Sequence, residues 1–354
     1  MNPYDFVRFG RPGPREPALM HDRFREQSGQ LVCRLTAYTH LFTPKTQDAP
    51  RRSHAELELM RGPDGVPLLP GSSLKGVIRS VAEAISGSCL TLPQPRRRGK
   101  VDYRGRPPVS YRIPRDFEHC EHQKYLCPAC RVFGSLSGGN PFLGKVGLSD
   151  AGPVSKVDVE WLTIEALMEP KPRHRAWYED PKQRGVMRGR KFYYHRPPGP
   201  RTTTERSRYN KTVEAIKPGV IFEFTVDYTN LTDDELALLV LALVLEPEMC
   251  HKVGMGKPVG LGSAKVEIVR WEQVDRQTRY QQLGGGVSVL EDEALAAEIE
   301  RLRMRYHRVY ANSQESLSDL QRIWTWDPAM EKDVAYPPRD WFRRNRDAPP
   351  EETP

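Results

Sequence analysis

The segment Val220–Trp271 constrains the fold more than any other part of the chain. Val220, Phe222, Phe224 and Val226 alternate along it, which puts one apolar face on a strand. Thr232 then opens a helix through a capping box with Glu235, and the run to Leu245 is strongly apolar. A glycine loop, Gly254–Gly262, feeds a further strand, Ser263–Trp271. A strand, a buried helix and a strand within about fifty residues call for an α+β core.

Similar patterning recurs earlier. Gln30–Thr39 reads as a strand with Val32, Arg34, Thr36 and Tyr38 on one face. Pro70-Gly-Ser-Ser73 reads as a helix start with Ser72 or Ser73 as N-cap, the helix running to about Ile85 and stopping at Gly87. Val146–Ser149 and Gly189–His195 read as strands, and Leu290–Tyr310 and Leu317–Trp326 as helices. Long polar stretches separate these blocks. With 354 residues, 38% hydrophobic and 28% charged, the expectation is one core with long insertions over residues 1–286 and a helical, then irregular, extension over 287–354. No apolar run approaches eighteen residues and Met1–Arg15 carries no apolar signal core, so a cytoplasmic protein without a membrane span is expected.

Cys127-Pro-Ala-Cys130, preceded by His119, Cys120 and His122, has the spacing of a metal knuckle. Two thiolates three residues apart face one tetrahedral ion, and a nearby Cys or His completes three ligands. Cys120, Cys127 and Cys130 are the expected ligands of a structural zinc. The fourth comes from His122, His119 or Cys89, of which His122 is taken. A redox pair lacks the strand-then-helix context here, and unligated buried thiols are the remaining alternative.

Charge is distributed unevenly. The formal net charge is +8, yet Gln94–Arg115 has eight basic residues against Asp102, and 169–211 has thirteen against four acidic ones. Those segments carry +7 and +9, so the rest of the chain carries 8 − 16 = −8. A near-acidic body with two basic insertions implies a polyanionic partner, and deletion of 169–211 is expected to spare the fold. Trp177, Tyr178, Phe192, Tyr193, Tyr194 and Tyr209 lie among the cations of the second insertion, as stacking on unpaired bases beside phosphate contacts requires. Arg188, Arg190, Lys191 and Tyr193 are its candidate RNA contacts.

Two further segments bear on phosphate. Gly71–Arg79 puts Ser72 and Ser73 at a helix start, with Lys75 and Arg79 one turn apart. Gly254, Gly256, Lys257 and Gly260 form a loop that follows a helix and precedes a strand, the reverse of a nucleotide-binding turn. Lys257 is followed by Pro258, where a P-loop has Ser or Thr, so the loop suits a polymer backbone better than a nucleotide triphosphate. No nucleophile elbow, HExxH or paired-carboxylate motif is present in the sequence.

Pro70-Gly-Ser-Ser-Leu-Lys-Gly-Val-Ile-Arg79, Cys130-Arg-Val-Phe-Gly134 and Gly254–Gly262, in that order, resemble the motifs of the CRISPR-associated RAMP superfamily. Gly189–His195 and Tyr336-Pro-Pro are similar to a type III-like branch. The resemblance implies a modified ferredoxin-like (RRM-like) βαββαβ core with long insertions. It implies a backbone subunit that polymerises along a guide RNA (crRNA) and presents it to target RNA, with a β-hairpin thumb within 167–213 and a basic segment and zinc knuckle within 94–133. Other copies of itself, other effector subunits and a separate nuclease are the implied partners. RNA-cleaving relatives carry an aspartate shortly before the PGSSLKG motif, where this chain reads Ser53-His-Ala-Glu-Leu-Glu58; Asp48 is the sole aspartate of the loop. A subunit without its own nuclease is therefore expected, the alternatives being a target-RNA endoribonuclease through Asp48 and a free-standing zinc-stabilised RNA-binding protein.

Overall fold

Alternation at Val220–Val226 does produce a strand, and the sheet is built around it. The computed structural model describes residues 1–45, 53–90, 111–121, 124–136, 141–167, 175–330, 333–337, 339–345 and 348–349. In chain order the elements that matter are β1 (Tyr4–Val7), β2 (Gln27–Ala37), α1 (Gly71–Ile85), α2 (Pro128–Phe133), β3 (Val146–Leu148), β4 (Arg190–Tyr193), β5 (Ile221–Leu231), α3 (Asp233–Val244), β6 (Ser263–Val274), α4 (Asp292–Val309) and α5 (Gln314–Trp324). The central sheet runs β6-β2-β5-β3, every neighbouring pair antiparallel. Short strands at His251–Lys252 and Val287–Leu290 extend it beside β6.

Register explains the burial. Cys33 stands opposite Phe224 and Ile268, and Leu35 opposite Phe222 and Val266. All of these are buried, so alternate positions of three strands form one apolar face. Val32, Arg34 and Thr36 face the other way, and Arg34 meets Glu223 at 3.0 Å there. Helix α3 covers the apolar face. Its capping box forms as read, with the Thr232 hydroxyl accepting from Glu235 N–H and the Glu235 carboxylate accepting from Thr232 N–H, each at 3.2 Å. Leu236, Leu238, Leu239, Leu241 and Leu243 are buried, each contributing roughly 2 kcal/mol by leaving water. Glu235 also receives Arg131 at 3.0 Å and Lys145 at 2.9 Å in a buried ionic triad that ties α2 and the start of β3 to α3.

Helix α1 spans the expected residues but starts differently. Pro70 is its N-cap, no side chain caps it, and Ser72 and Ser73 sit exposed inside the first turn. Proline supplies the extended backbone that the N-cap needs, so the serine hydroxyls remain turned outward. Leu295, Leu302 and Tyr306 of α4 and Leu317, Leu320 and Trp324 of α5 join the same buried cluster as the sheet.

The second basic insertion is not a detachable appendage, contrary to the expectation that its loss would spare the fold. Its strand β4 pairs antiparallel with β1, Tyr4 opposite Tyr193 and Val7 opposite Arg190. Trp177 is fully buried against Tyr4 and Trp341. His195 is buried as well, its Nδ1 at 2.9 Å from Ser263 Oγ and its Nε2 at 3.0 Å from the Cys250 carbonyl. Composition shows the charges of this segment, whereas the apolar residues between them are what dock it.

Candidate functional site

Three separated segments converge on one cleft of about 640 Å³. The start of α1 contributes Ser72, Ser73 and Gly76, the glycine loop contributes Gly254, Met255 and Lys257, and β4 contributes Lys191 and Tyr193. Thr43, Met60, Lys252 and Trp324 complete the wall. Gly254 has φ +76°, and a Cβ there would stand 2.3 Å from the Phe42 carbonyl oxygen. Glycine is therefore what lets the loop close against the chain after β2. A neighbouring cavity of about 290 Å³ shares Lys191, Tyr193, Gly254 and Lys257 and adds Pro258 and Tyr336.

Among the described residues lining the cleft there are three lysines and no carboxylate. Lys191 lies with Nζ 3.6 Å from the Tyr4 ring centre and 4.8 Å from that of Tyr193. Burial lowers its pKa to about 8. Lys252 is fully buried, donates to the Leu261 carbonyl at 3.0 Å, and is lowered to about 7 by burial, with the charge of Lys257 adding to it. Burial lowers Lys257 too. Desolvated ammonium groups with no counter-ion favour whatever anion enters, because it restores the interactions that water no longer provides. The first turn of α1 has no acidic residue and turns its positive end and two hydroxyls toward the same space. The arrangement suits phosphate.

Other residues singled out from the sequence have internal partners. Lys75 donates to the Val146 carbonyl at 2.7 Å. Arg79 binds Glu83 at 2.8 Å and approaches Cys130 Sγ at 3.9 Å. Arg190 is buried, 3.5 Å from Glu83, with a further bond to the Ser88 carbonyl. Arg188 donates to the Ala176 carbonyl at 3.3 Å. Gly256 lines the smaller cavity, and Gly260 packs on Arg196. Asp48, His122, most of the first basic segment (91–110) and residues 168–174 lie outside the described residues.

Beyond α1, four thiols gather. Cys89, Cys120, Cys127 and Cys130 are all buried, with their sulfurs within 4.8 Å of one another. Cys89 lies 3.5 Å from Cys130 and 3.6 Å from Cys127. A disulfide would need about 2.05 Å, while four thiolates about 2.3 Å from a tetrahedral ion stand about 3.8 Å apart. The amides of Cys127 and Cys89 also point at sulfurs, Cys120 at 3.3 Å and Cys127 at 3.5 Å, as thiolate acceptors require. The donor set fits a closed tetrahedral metal site with Cys89 at the fourth corner, in place of His122, which was taken from the spacing and lies outside the described residues.

Lys252 is the residue that sequence reading missed. Nothing in the run Met249–Val253 marks it, because the burial of this lysine and its neighbours is visible only once the chain is packed. Tyr4 was missed because nothing local links it to β4.

A family model described as the RAMP superfamily matches residues 34–265, about two thirds of the chain. No curated protein matches. A chain of a solved structure described as a Type IV-B CRISPR complex is similar at 17% identity and a TM-score of 0.36, covering 68% of this chain and 90% of that one.

Proposed function

The chain belongs to the RAMP superfamily, and on that premise we propose that it is a guide-RNA-binding backbone subunit of a type III-like or type III-derived CRISPR effector. The observation that carries the reading is the carboxylate-free cleft where Lys191, Lys252 and Lys257 meet the start of α1. A phosphodiester entering it gains three cations, a helix N-terminus and the Ser72 and Ser73 hydroxyls, while the Tyr193 and Tyr336 rings of the adjoining cavity offer stacking faces for a base. Lysines reach phosphate as point charges without reading sequence, which suits a protein that must accept any guide.

The sheet order β6-β2-β5-β3 with α1 and α3 supports a ferredoxin-like core, because strands one and three of the βαββαβ order lie centrally. The hairpin of Glu179–Asp180 with Gln183–Met187 falls in the segment read as the thumb. Cys89, Cys120, Cys127 and Cys130 would hold a structural zinc, which leaves no open coordination position for catalysis. Zn²⁺ with four thiolates carries −2, and Arg79 beside Cys130 offsets part of that charge. Further copies along the guide, target RNA and a separate nuclease subunit are the partners of this reading.

RNA that copurifies from the native host should carry a repeat-derived tag at one end. In vitro, Lys257→Ala should weaken binding of a 30-nucleotide single-stranded RNA roughly tenfold and flatten the salt dependence by about 0.7 in log–log slope. Untagged, random RNA together with salt-insensitive binding would overturn the reading.

A further inference from the structure

Beside the glycine loop, Arg196 and Arg201 hold a single exposed carboxylate. Asp333 Oδ1 lies 2.7 Å from Arg201 Nη1, 3.3 Å from Arg196 Nη2 and 3.4 Å from Arg196 Nε, and its Oδ2 lies 2.9 Å from Arg201 Nη1. The exposures are graded. The Arg196 and Arg201 side chains are 16% and 26% exposed, whereas Asp333 is 66% exposed. The carboxylate is therefore the outer lid of a guanidinium fork that would otherwise open to solvent. Glu165, itself partly exposed, binds Arg201 Nε at 2.9 Å, and Arg196 Nη1 donates to the Gly199 carbonyl, which leaves Arg196 Nε and Nη2 and Arg201 Nη1 to Asp333.

Backbone contacts fix the fork to the cleft. Arg201 N–H donates to the Val259 carbonyl at 2.7 Å, and the Arg196 side chain packs on Gly260, both in the loop that holds Lys257. Asp333 comes from the far end of the chain, on a strap whose Val334 is buried, whose Ala335 N–H donates to the Met1 carbonyl at 2.9 Å, and whose Tyr336 borders the smaller cavity. Two oxygens of one anion, shared between two guanidinia, match the non-bridging oxygens of a phosphodiester.

We propose that Arg196 and Arg201 form a further phosphate-binding fork, continuous with the lysine cleft, which Asp333 occupies in the free protein and yields to the backbone of a single-stranded RNA. The proposal rests on the RNA-binding reading of that cleft. It gives the C-terminal strap a function: Asp333 lowers affinity for RNA by an internal competition and keeps short, adventitious polyanions from the fork.

The test is a set of equilibrium titrations with a 30-nucleotide single-stranded RNA at 0.1 M salt, with thermal melting to verify folding. Asp333→Asn, nearly isosteric and at an exposed position, should bind three- to tenfold tighter than wild type. Glu300→Gln removes the same charge from the exposed face of α4 and should change affinity less than twofold. In an Arg201→Ala background Asp333→Asn should give no gain, because the site it uncovers is gone. If Asp333→Asn fails to fold, Arg196→Ala with Arg201→Ala alone decides, since the fork predicts weaker binding and a smaller salt slope. An unchanged affinity for Asp333→Asn, or a gain that survives Arg201→Ala, overturns the fork while Lys257→Ala still reports on the cleft. Absence of RNA binding by wild type and Asp333→Asn alike overturns both.

Discussion

Lys252 shows how a single side chain can carry the electrostatics of a site. Its ammonium has one carbonyl partner, no carboxylate in the cleft, and Lys257 near enough to depress it. Cys250, the other titratable group acting on it, is itself pushed up to about 12 by burial and so stays neutral. Lys252 at about 7 and Lys191 at about 8 are therefore partly neutral in the free protein near physiological pH. A phosphate raises both values, so binding takes up protons. RNA affinity should fall as pH rises from 6.5 to 8.5, by up to about tenfold per pH unit for each proton taken up. Calorimetry in buffers of different ionisation enthalpy should return an uptake near one proton at pH 7.5; no uptake, with flat affinity, would count against the assignment of these lysines. Stability runs the other way. The folded values lie below 10.5, so the unfolded chain binds more protons between about pH 7 and 10.5, and these two groups make the fold more stable as pH rises through that window. None of this could be read from the residues, because a lysine in sequence looks like surface and only packing shows it to be desolvated.

At the level of elements, legibility followed locality. Helix α3 and its capping box were readable because Thr232 and Glu235 are three residues apart, and α1 because Leu74, Ile78, Val81 and Ile85 repeat at helical spacing. The cysteine cluster was readable as far as Cys120–Cys130. Cys89, weighed from the sequence only as an alternative to His122, joins it from just beyond α1 and across the first basic segment, so no spacing rule singles it out. That linkage makes the cluster a clasp between α1 and α2. One zinc per chain should be found by elemental analysis, and Cys89→Ser should cost on the order of 3 kcal/mol, read as a lower Tm that added zinc does not restore. The ionic triad on α3 gives a second expectation. Glu235→Gln can keep the cap but takes the counter-charge from the buried Lys145 and leaves Arg131 only the exposed Glu16, 3.0 Å away, at a cost of roughly 3 kcal/mol in chemical denaturation. A loss no greater than that of an ordinary cap, about 1 kcal/mol, would mean that water or other partners neutralise the two cations.

On the scale of the whole molecule, the division of charge between a body at −8 and two basic segments holds arithmetically, but charge and structure do not divide along the same line. Segment 169–211 contains β4, whose pairing with β1 holds the N-terminal strand, and Trp177 and His195, which are buried. Its deletion would strip β1 of its partner and open the aromatic cluster around Tyr4 and Trp341, so the shortened chain should lose cooperative unfolding and near-ultraviolet circular dichroism. The basic function is separable only at the level of side chains. Lys182, Arg184, Arg206 and Arg208 are exposed, and replacing all four with Gln leaves the buried part of the segment untouched. That variant should melt within a few degrees of wild type yet bind RNA with a log–log salt slope smaller by about 0.7 for each phosphate that is no longer neutralised. An unchanged slope would place the RNA path wholly within the lysine cleft, whereas a collapsed fold would show that these cations bind the insertion to an acidic body rather than to RNA.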